Sequence, residues 1–451
     1  VLLAEPGTEA QAAEVPFAAM RMFARKFQQL TAPVTAKGVE DTAFYIYNRL
    51  ASLNEVGGDP AVFGVGVNAF HGASADRAAH WPHAMLATST HDSKRSEDVR
   101  ARIDVLSEVP AAWRLQLRRW ARMNRSRRRE VDGRPAPSRN DEYLLYQTLV
   151  GSFPPELMAA GAGAAAMDEG AADKGALVEG AVADYRNRIR DYMLKAAREA
   201  KVNTSWINPN EDYEAALAAF VEEVLTPAER NLFLDDFRDS LAPVAWAGLL
   251  NSLSLMLIKY TSPGVPDCYQ GNELWDFSLV DPDNRRPVDY ARREAALRQL
   301  TAMAPQRGDP AQLRVLLDRM QDGLPKLHVI RCLLQLRRSR PALFEHGDYT
   351  PLKTTGARAQ HVVAYARRDA GHGLITLAGR LFLRLGLNSG DLPCGEAVWH
   401  DTRVELPLVP DGSTLRNVLS GETLVVEDGG IAVAAAWAHF PGAALEFGLA
   451  A

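Results

Sequence analysis

Between about residues 10 and 30, Val15, Ala18, Met22, Phe23, Phe27 and Leu30 recur at helical spacing, and Pro33 is expected to stop the helix. That Phe/Met stripe reads as core packing. The pattern changes at residues 84–87, a short apolar run followed by Thr88-Ser89-Thr90, then His91-Asp92, then a charged helical stretch. It reads as a buried strand ending in a site. Helical periodicity returns over residues 95–109 and 114–129, again over 183–202, in the apolar 245–260, and from about 291 to 343. Residues 54–72 are rich in Gly and Asp and read as a loop. Residues 158–181 are Ala/Gly-rich, a surface excursion or a weakly ordered helix. Beyond Pro341, short runs at 362–366, 374–377, 404–406 and 443–447 alternate with Gly- and Asp-containing turns and predict an all-β C-terminal domain.

Charge changes this picture little. Lys and Arg number 51 against 56 Asp and Glu, a mildly acidic balance that points to no nucleic acid and is compatible with a neutral polyol. The arginines of 114–129 have Glu97, Asp98, Asp104 and Glu108 nearby in sequence and no aromatic platform among them, so a solvated, salt-bridged helix face is expected. Cys268, Cys332 and Cys394 are odd in number and far apart, which suits reduced thiols and a cytoplasmic location. No apolar stretch approaches the roughly 20 residues a membrane helix needs, so no membrane partner is expected. No P-loop, complete dinucleotide fingerprint, Gly-x-Ser-x-Gly or His-Glu-x-x-His occurs, and no metal or cofactor is expected.

Candidate chemistry lies in two stretches. A His-Asp pair where a barrel strand ends can hydrogen-bond neighbouring sugar hydroxyls, and its carboxylate can stabilise a ring turning cationic; the same Asp can simply cap the next helix. Earlier, Lys37, Glu40 and Asp41 stand beside Phe44, Tyr45 and Tyr47. Charged groups next to rings suit a pyranose, though a helix start over an aromatic core gives the same pattern. Lys94 is either a site residue or a helix-start charge pairing with Asp98. Arg285 and Arg286 fit sugar hydroxyls or Arg–Asp pairing within their loop; Trp81 and Trp206 fit platforms or packing.

Three blocks carry a family resemblance. Ala87-Thr88-Ser89-Thr90-His91-Asp92-Ser93-Lys94-Arg95-Ser96-Glu97-Asp98 resembles the seventh-strand signature of the alpha-amylase superfamily, in the form found in maltooligosyl trehalose synthases. Ala36-Lys37-Gly38-Val39-Glu40-Asp41-Thr42-Ala43-Phe44-Tyr45, continuing to Asn54-Glu55-Val56-Gly57-Gly58-Asp59-Pro60, resembles that family's most distinctive segment. Ser262-Pro263-Gly264-Val265-Pro266-Asp267-Cys268-Tyr269-Gln270-Gly271-Asn272-Glu273 resembles its eighth-strand signature.

The resemblance implies an α/β fold: the later part of a (β/α)8 TIM barrel with a large helical insertion, followed by an all-β C-terminal sandwich. Its expected divisions are a barrel segment at 1–92, the insertion at 93–244, the last barrel strand and helices at 245–342, and the sandwich at 343–451. It implies an isomerase, a (1→4)-α-D-glucan 1-α-D-glucosylmutase, that converts the reducing-end α-1,4 linkage of a maltooligosaccharide to α-1,1. Asp92 matches the family's third carboxylate. His91, Lys94, Lys37, Glu40, Asp41 and Phe44 are implied as substrate-binding residues. Retaining chemistry also needs a nucleophile and an acid/base about 5 to 5.5 Å apart. Neither the fourth-strand Asp nor the fifth-strand Glu has a counterpart here, so a fragment needing its own N-terminal half is expected. The alternatives are an amylase-family hydrolase and a non-catalytic glucan-binding chain.

Overall fold

The computed structural model describes residues 16–159, 171–227 and 231–448. Residues 10–15 of the first expected helix and residues 160–170 of the Ala/Gly-rich run lie outside the described residues, and residues 171–181 of that run are helical. Helix α1 (Phe17–Thr35) does not stop at Pro33; it runs through it into a wider helical turn over Ala36–Ala43 and the single turn α2 (Phe44–Ile46). A proline removes one intrahelical bond, and where the flanking turns persist it need not end the element. Nor is the apolar stripe of α1 core. Met22, Phe23, Phe27 and Leu30 are 41 to 64% exposed, because the described residues leave that face open to solvent.

Helix α3 (Val67–His80), which begins inside the expected loop and runs past its end, leads to β1 (Met85–Leu86), which pairs in parallel with β4 (Val265–Pro266), Met85 opposite Val265 and Leu86 opposite Pro266. The expected buried strand is thus short and open on one side, with Met85 72% exposed. Between the two strands lie α4 (Glu97–Asp104), α5 (Pro110–Met123), the hairpin β2 (Arg129–Val131) and β3 (Arg134–Ala136), α6 (Arg139–Ser152), α7 (Pro155–Ala159), α8 (Ala171–Ala200), α9 (Glu211–Leu225) and α10 (Leu232–Thr261). Their starts follow local chemistry. Ser96, Ser138, Asn210 and Asn231 each accept the backbone N–H three residues on, and Pro110 opens α5 where no N–H is needed. The helix expected to reach Arg129 ends at Met123 instead, and Asp132-Gly133, both at positive φ, turns the hairpin.

The expected boundary at 244/245 falls inside α10. This helix is also long and apolar enough by composition to cross a bilayer, which the shorter uninterrupted runs in the sequence did not suggest; most of its apolar window is buried within the protein. It packs against α4 and against α13 (Leu324–Ser339), which follows α11 (Tyr290–Met303) and α12 (Pro310–Leu317).

Among the described residues nine strands follow, four of them at or within a few residues of the places the alternation marks and five at places it does not mark. They are β5 (Thr350–Pro351), β6 (Thr354–Thr355), β7 (Val362–Arg368), β8 (His372–Gly379), β9 (Arg403–Glu405), β10 (Thr414–Asn417), β11 (Thr423–Val425), β12 (Gly430–Ala432) and β13 (Ala443–Gly448). They build an antiparallel sheet in the order β11-β10-β13-β8-β7-β5 and a smaller one, β12-β9-β6. The molecule is α/β, and one contiguous apolar core runs from Tyr45 through α10 and α13 into β8 and β13.

Candidate active site

The loop after β1 is held from three directions. Within it, Thr90 donates its N–H to Ser93 Oγ at 2.8 Å, and Asp92 donates its N–H to Thr90 Oγ1 at 3.2 Å. From the segment after α2, the Glu55 carboxylate accepts the N–H groups of Lys94 at 2.8 Å and Arg95 at 3.2 Å. From the loop after β4, Asn284 Nδ2 donates to the carbonyls of Thr90 at 3.3 Å and His91 at 3.1 Å. The Asp92 side chain accepts no hydrogen bond from the described residues, and Ser96, not Asp92, caps α4.

The loop brings Lys94 to Asp41. Lys94 Nζ donates to Asp41 Oδ1 at 2.9 Å and Lys37 Nζ to Asp41 Oδ2 at 2.5 Å, so one carboxylate joins two ammonium groups from separate segments. Lys94 is 3% exposed, whereas Lys37 stands in solvent. Burial pushes the Asp41 carboxyl up, but the hydrogen bonds from Lys37 and Lys94 outweigh it and hold it below the usual carboxylate range. The hydrogen bond and charge of Asp41 raise the Lys37 ammonium, and the charges of Glu199 and Asp92 add to this. Glu40 Oε1 accepts the Gly57 N–H at 3.2 Å.

Pairing of Lys94 with Asp98 does not occur. Asp98 is buried and bonded to Lys326 at 2.8 Å, which also reaches Glu97 at 2.8 Å, while Lys259 meets Glu97 at 3.0 Å. Asp98 Oδ2 also accepts the N–H of Asp276 at 2.8 Å, and Ser96 Oγ donates to the Asp276 carbonyl. These buried charges tie the loops after β1 and β4 to α13. Among the described residues no group of three or more His, Cys, Asp or Glu is placed to hold a metal ion.

Comparison with known proteins finds homologues over most of the chain. No family model matches the chain. A Mycobacterium tuberculosis protein (strain H37Rv) assigned as a maltooligosyl trehalose synthase is 37% identical over 380 residues, 83% of this chain and 42% of the relative. The structure of maltooligosyltrehalose synthase from Arthrobacter ramosus matches with TM-score 0.71 and 36% identity over 94% of this chain and 46% of that one. A hypothetical maltooligosyl trehalose synthase of Sulfolobus tokodaii matches with TM-score 0.65 and 30% identity over 93% and 46%. The chain is homologous to part of the maltooligosyl trehalose synthases. It spans less than half the length of these relatives.

In this maltooligosyl trehalose synthase homologue, Lys37, Asp41 and Lys94 converge, Asp92 stands two residues before Lys94 in the same loop, and Glu40 holds the adjoining loop. His91 is exposed and fixed by its backbone. Phe44 stands apart: it is 1% exposed, so its ring packs inside and presents no face to a ligand. Arg286 pairs with Asp283 at 3.0 Å and Arg285 with Asp281 at 3.9 Å, the Arg–Asp alternative for that loop. Trp206 lies under the Arg198 guanidinium, 4.8 Å from its ring centroid, and Trp81 is largely exposed. Sequence reasoning gave no role to Glu55 or Asn284. Glu55 stood within a quoted motif, but a carboxylate aimed at two backbone N–H groups about forty residues later leaves no periodic trace.

Proposed function

We propose that this chain carries part of the active site of an intramolecular transglucosylase that acts on maltooligosaccharides, replacing the reducing-end α-1,4 linkage by α-1,1. One observation carries the reading: in a chain homologous to named maltooligosyl trehalose synthases, Asp41 joins Lys37 to Lys94, which stands two residues after Asp92 in the loop that follows β1. In this reading Asp92 holds ring hydroxyls and supports the oxocarbenium-like state with its charge. The Lys37–Asp41–Lys94 chain, with Glu40 bracing it and His91 at its rim, retains the released glucose while it turns to attack through its anomeric hydroxyl. Water must be excluded at that moment, or hydrolysis competes. The nucleophile and acid/base belong to the longer protein.

The finer architecture follows the same reading. The β1–β4 pair corresponds to the seventh and eighth strands of a TIM barrel, the helices between them to an insertion, and the two C-terminal sheets to a sandwich. The three cysteines are free, which supports a cytoplasmic setting. The test is to incubate the natural full-length protein with maltopentaose. Reducing ends should disappear without free glucose. Equimolar glucose release, or binding without turnover, would overturn the assignment.

A further inference from the structure

The arginines of α5 are not neutralised as their sequence neighbourhood suggested. Glu97 and Asp98 are taken by Lys259 and Lys326, Glu108 accepts the backbone N–H of Arg384, and neither these nor Asp104 pairs with an α5 arginine among the described residues. Arg119 alone on this helix finds a carboxylate, Asp236, at 2.5 Å. Arg114, Arg118 and Arg122 recur every fourth residue, so their side chains form one row about 12 Å long. That row lines a cavity of about 970 Å³, with Arg125, Arg128, Arg129 and Arg139 on its other walls. Seven arginines and two glutamates line it, in a chain whose net charge is −5. One of those glutamates, Glu142, already faces Arg128 at 3.6 Å and accepts the Tyr146 hydroxyl at 2.8 Å. Arg114, Arg118, Arg122, Arg125 and Arg139 have no side-chain partner among the described residues.

Like charges gathered around one hollow repel each other unless an anion joins them, and guanidinium forks match phosphoryl oxygens two at a time. The hollow has the volume of a small-molecule pocket. Of the two rings in its wall, Tyr146 is buried and Tyr143 is half-buried beside Trp113, ring centroids 6.4 Å apart, so no row of exposed rings accompanies the arginines as a nucleic-acid strand would need. We propose that this cavity binds a small polyanion carrying two or more phosphoryl groups, at a site separate from the one around Asp92.

Calorimetric titration of the full-length protein with inorganic tripolyphosphate, at fixed ionic strength, tests it. Saturable one-to-one binding is expected. Affinity should fall at least tenfold in R118A/R122A, fall less in R118K/R122K because lysine lacks the fork, and stay unchanged in R119A. Absence of saturable binding, or equal affinity in the parent and both double variants, overturns the proposal. So does tighter binding of a single-stranded oligonucleotide that tripolyphosphate cannot displace, which would make the face a nucleic-acid surface.

Discussion

Asp92 spends none of its side-chain capacity on the fold. Its carboxylate accepts no bond from the described residues, and the loop around it is held by Thr90, Ser93, Glu55 and Asn284 instead. Asp92→Asn should therefore change unfolding free energy by no more than about 0.5 kcal/mol. It should lower transglucosylation by the full-length enzyme roughly a hundredfold or more, if its charge supports the transition state. Urea unfolding beside the maltopentaose assay separates the two; a matching loss of stability would make Asp92 a structural residue. Lys94 is the opposite case. It is buried against Asp41, so Lys94→Met should cost about 1–2 kcal/mol and let the Asp41 carboxyl rise toward its ordinary range. The two motifs were legible as motifs. Their junction was not, because Lys94 and Asp41 stand 53 residues apart and only the fold joins them. Phe44 belongs to the same motif yet is buried, whereas Lys37, Glu40 and Asp41 are not, a difference that only packing decides.

Among elements, period and punctuation located most helices and the long strands, and missed what one turn decides. The β2–β3 hairpin hung on Asp132-Gly133, just past an arginine-rich run that scanned as helix to Arg129. Pro33 looked like a terminator because a lone proline carries that reading, yet α1 continues. No local pattern marked Lys326 on α13, which is fully buried and bonded to both Glu97 and Asp98 at the start of α4. Burial pushes Glu97 up, but Lys326 and Lys259 outweigh it and hold it at about 2, while burial keeps Asp98 raised. Removing one partner of such a group strands the others in a dry site. Lys326→Met should destabilise by about 3–5 kcal/mol, and adding Asp98→Asn should restore part of that. Guanidinium-induced unfolding of both variants checks it; additive losses would mean that the two side chains are not coupled.

At the scale of the molecule, the α/β class and four of the C-terminal strands could be read from the sequence, but the strand order and the short helices among those strands, such as Glu396–Trp399 and Val433–Ala436, could not. β13 sits between β10 and β8 because the last strand returns to the middle of the sheet, a pairing set by the core and not by neighbouring residues. That core also contains a titration device. His328 on α13 is fully buried, and its ring nitrogen meets the Leu419 carbonyl, just past β10, at 2.8 Å, so it joins the helical layer to the sheet. Burial pushes it down to about 4, against the bond to Leu419 that favours the charged form. A histidine depressed in the fold binds its proton more readily when unfolded, so stability is fully present above about pH 6.5 and is lost as pH falls toward 4. The loss from this residue amounts to about 3 kcal/mol. His71 and His361 are also depressed by burial and steepen the same limb, whereas the stability from Glu97 is lost only below its ordinary carboxylate range. Comparison with His328→Gln isolates the one group: the side-chain amide can still donate to Leu419 but does not titrate. Unfolding free energies at pH 7 and 4.5 should differ by about 2 kcal/mol less in the variant than in the parent. Equal slopes would show that His328 is already protonated in the folded protein at pH 4.5.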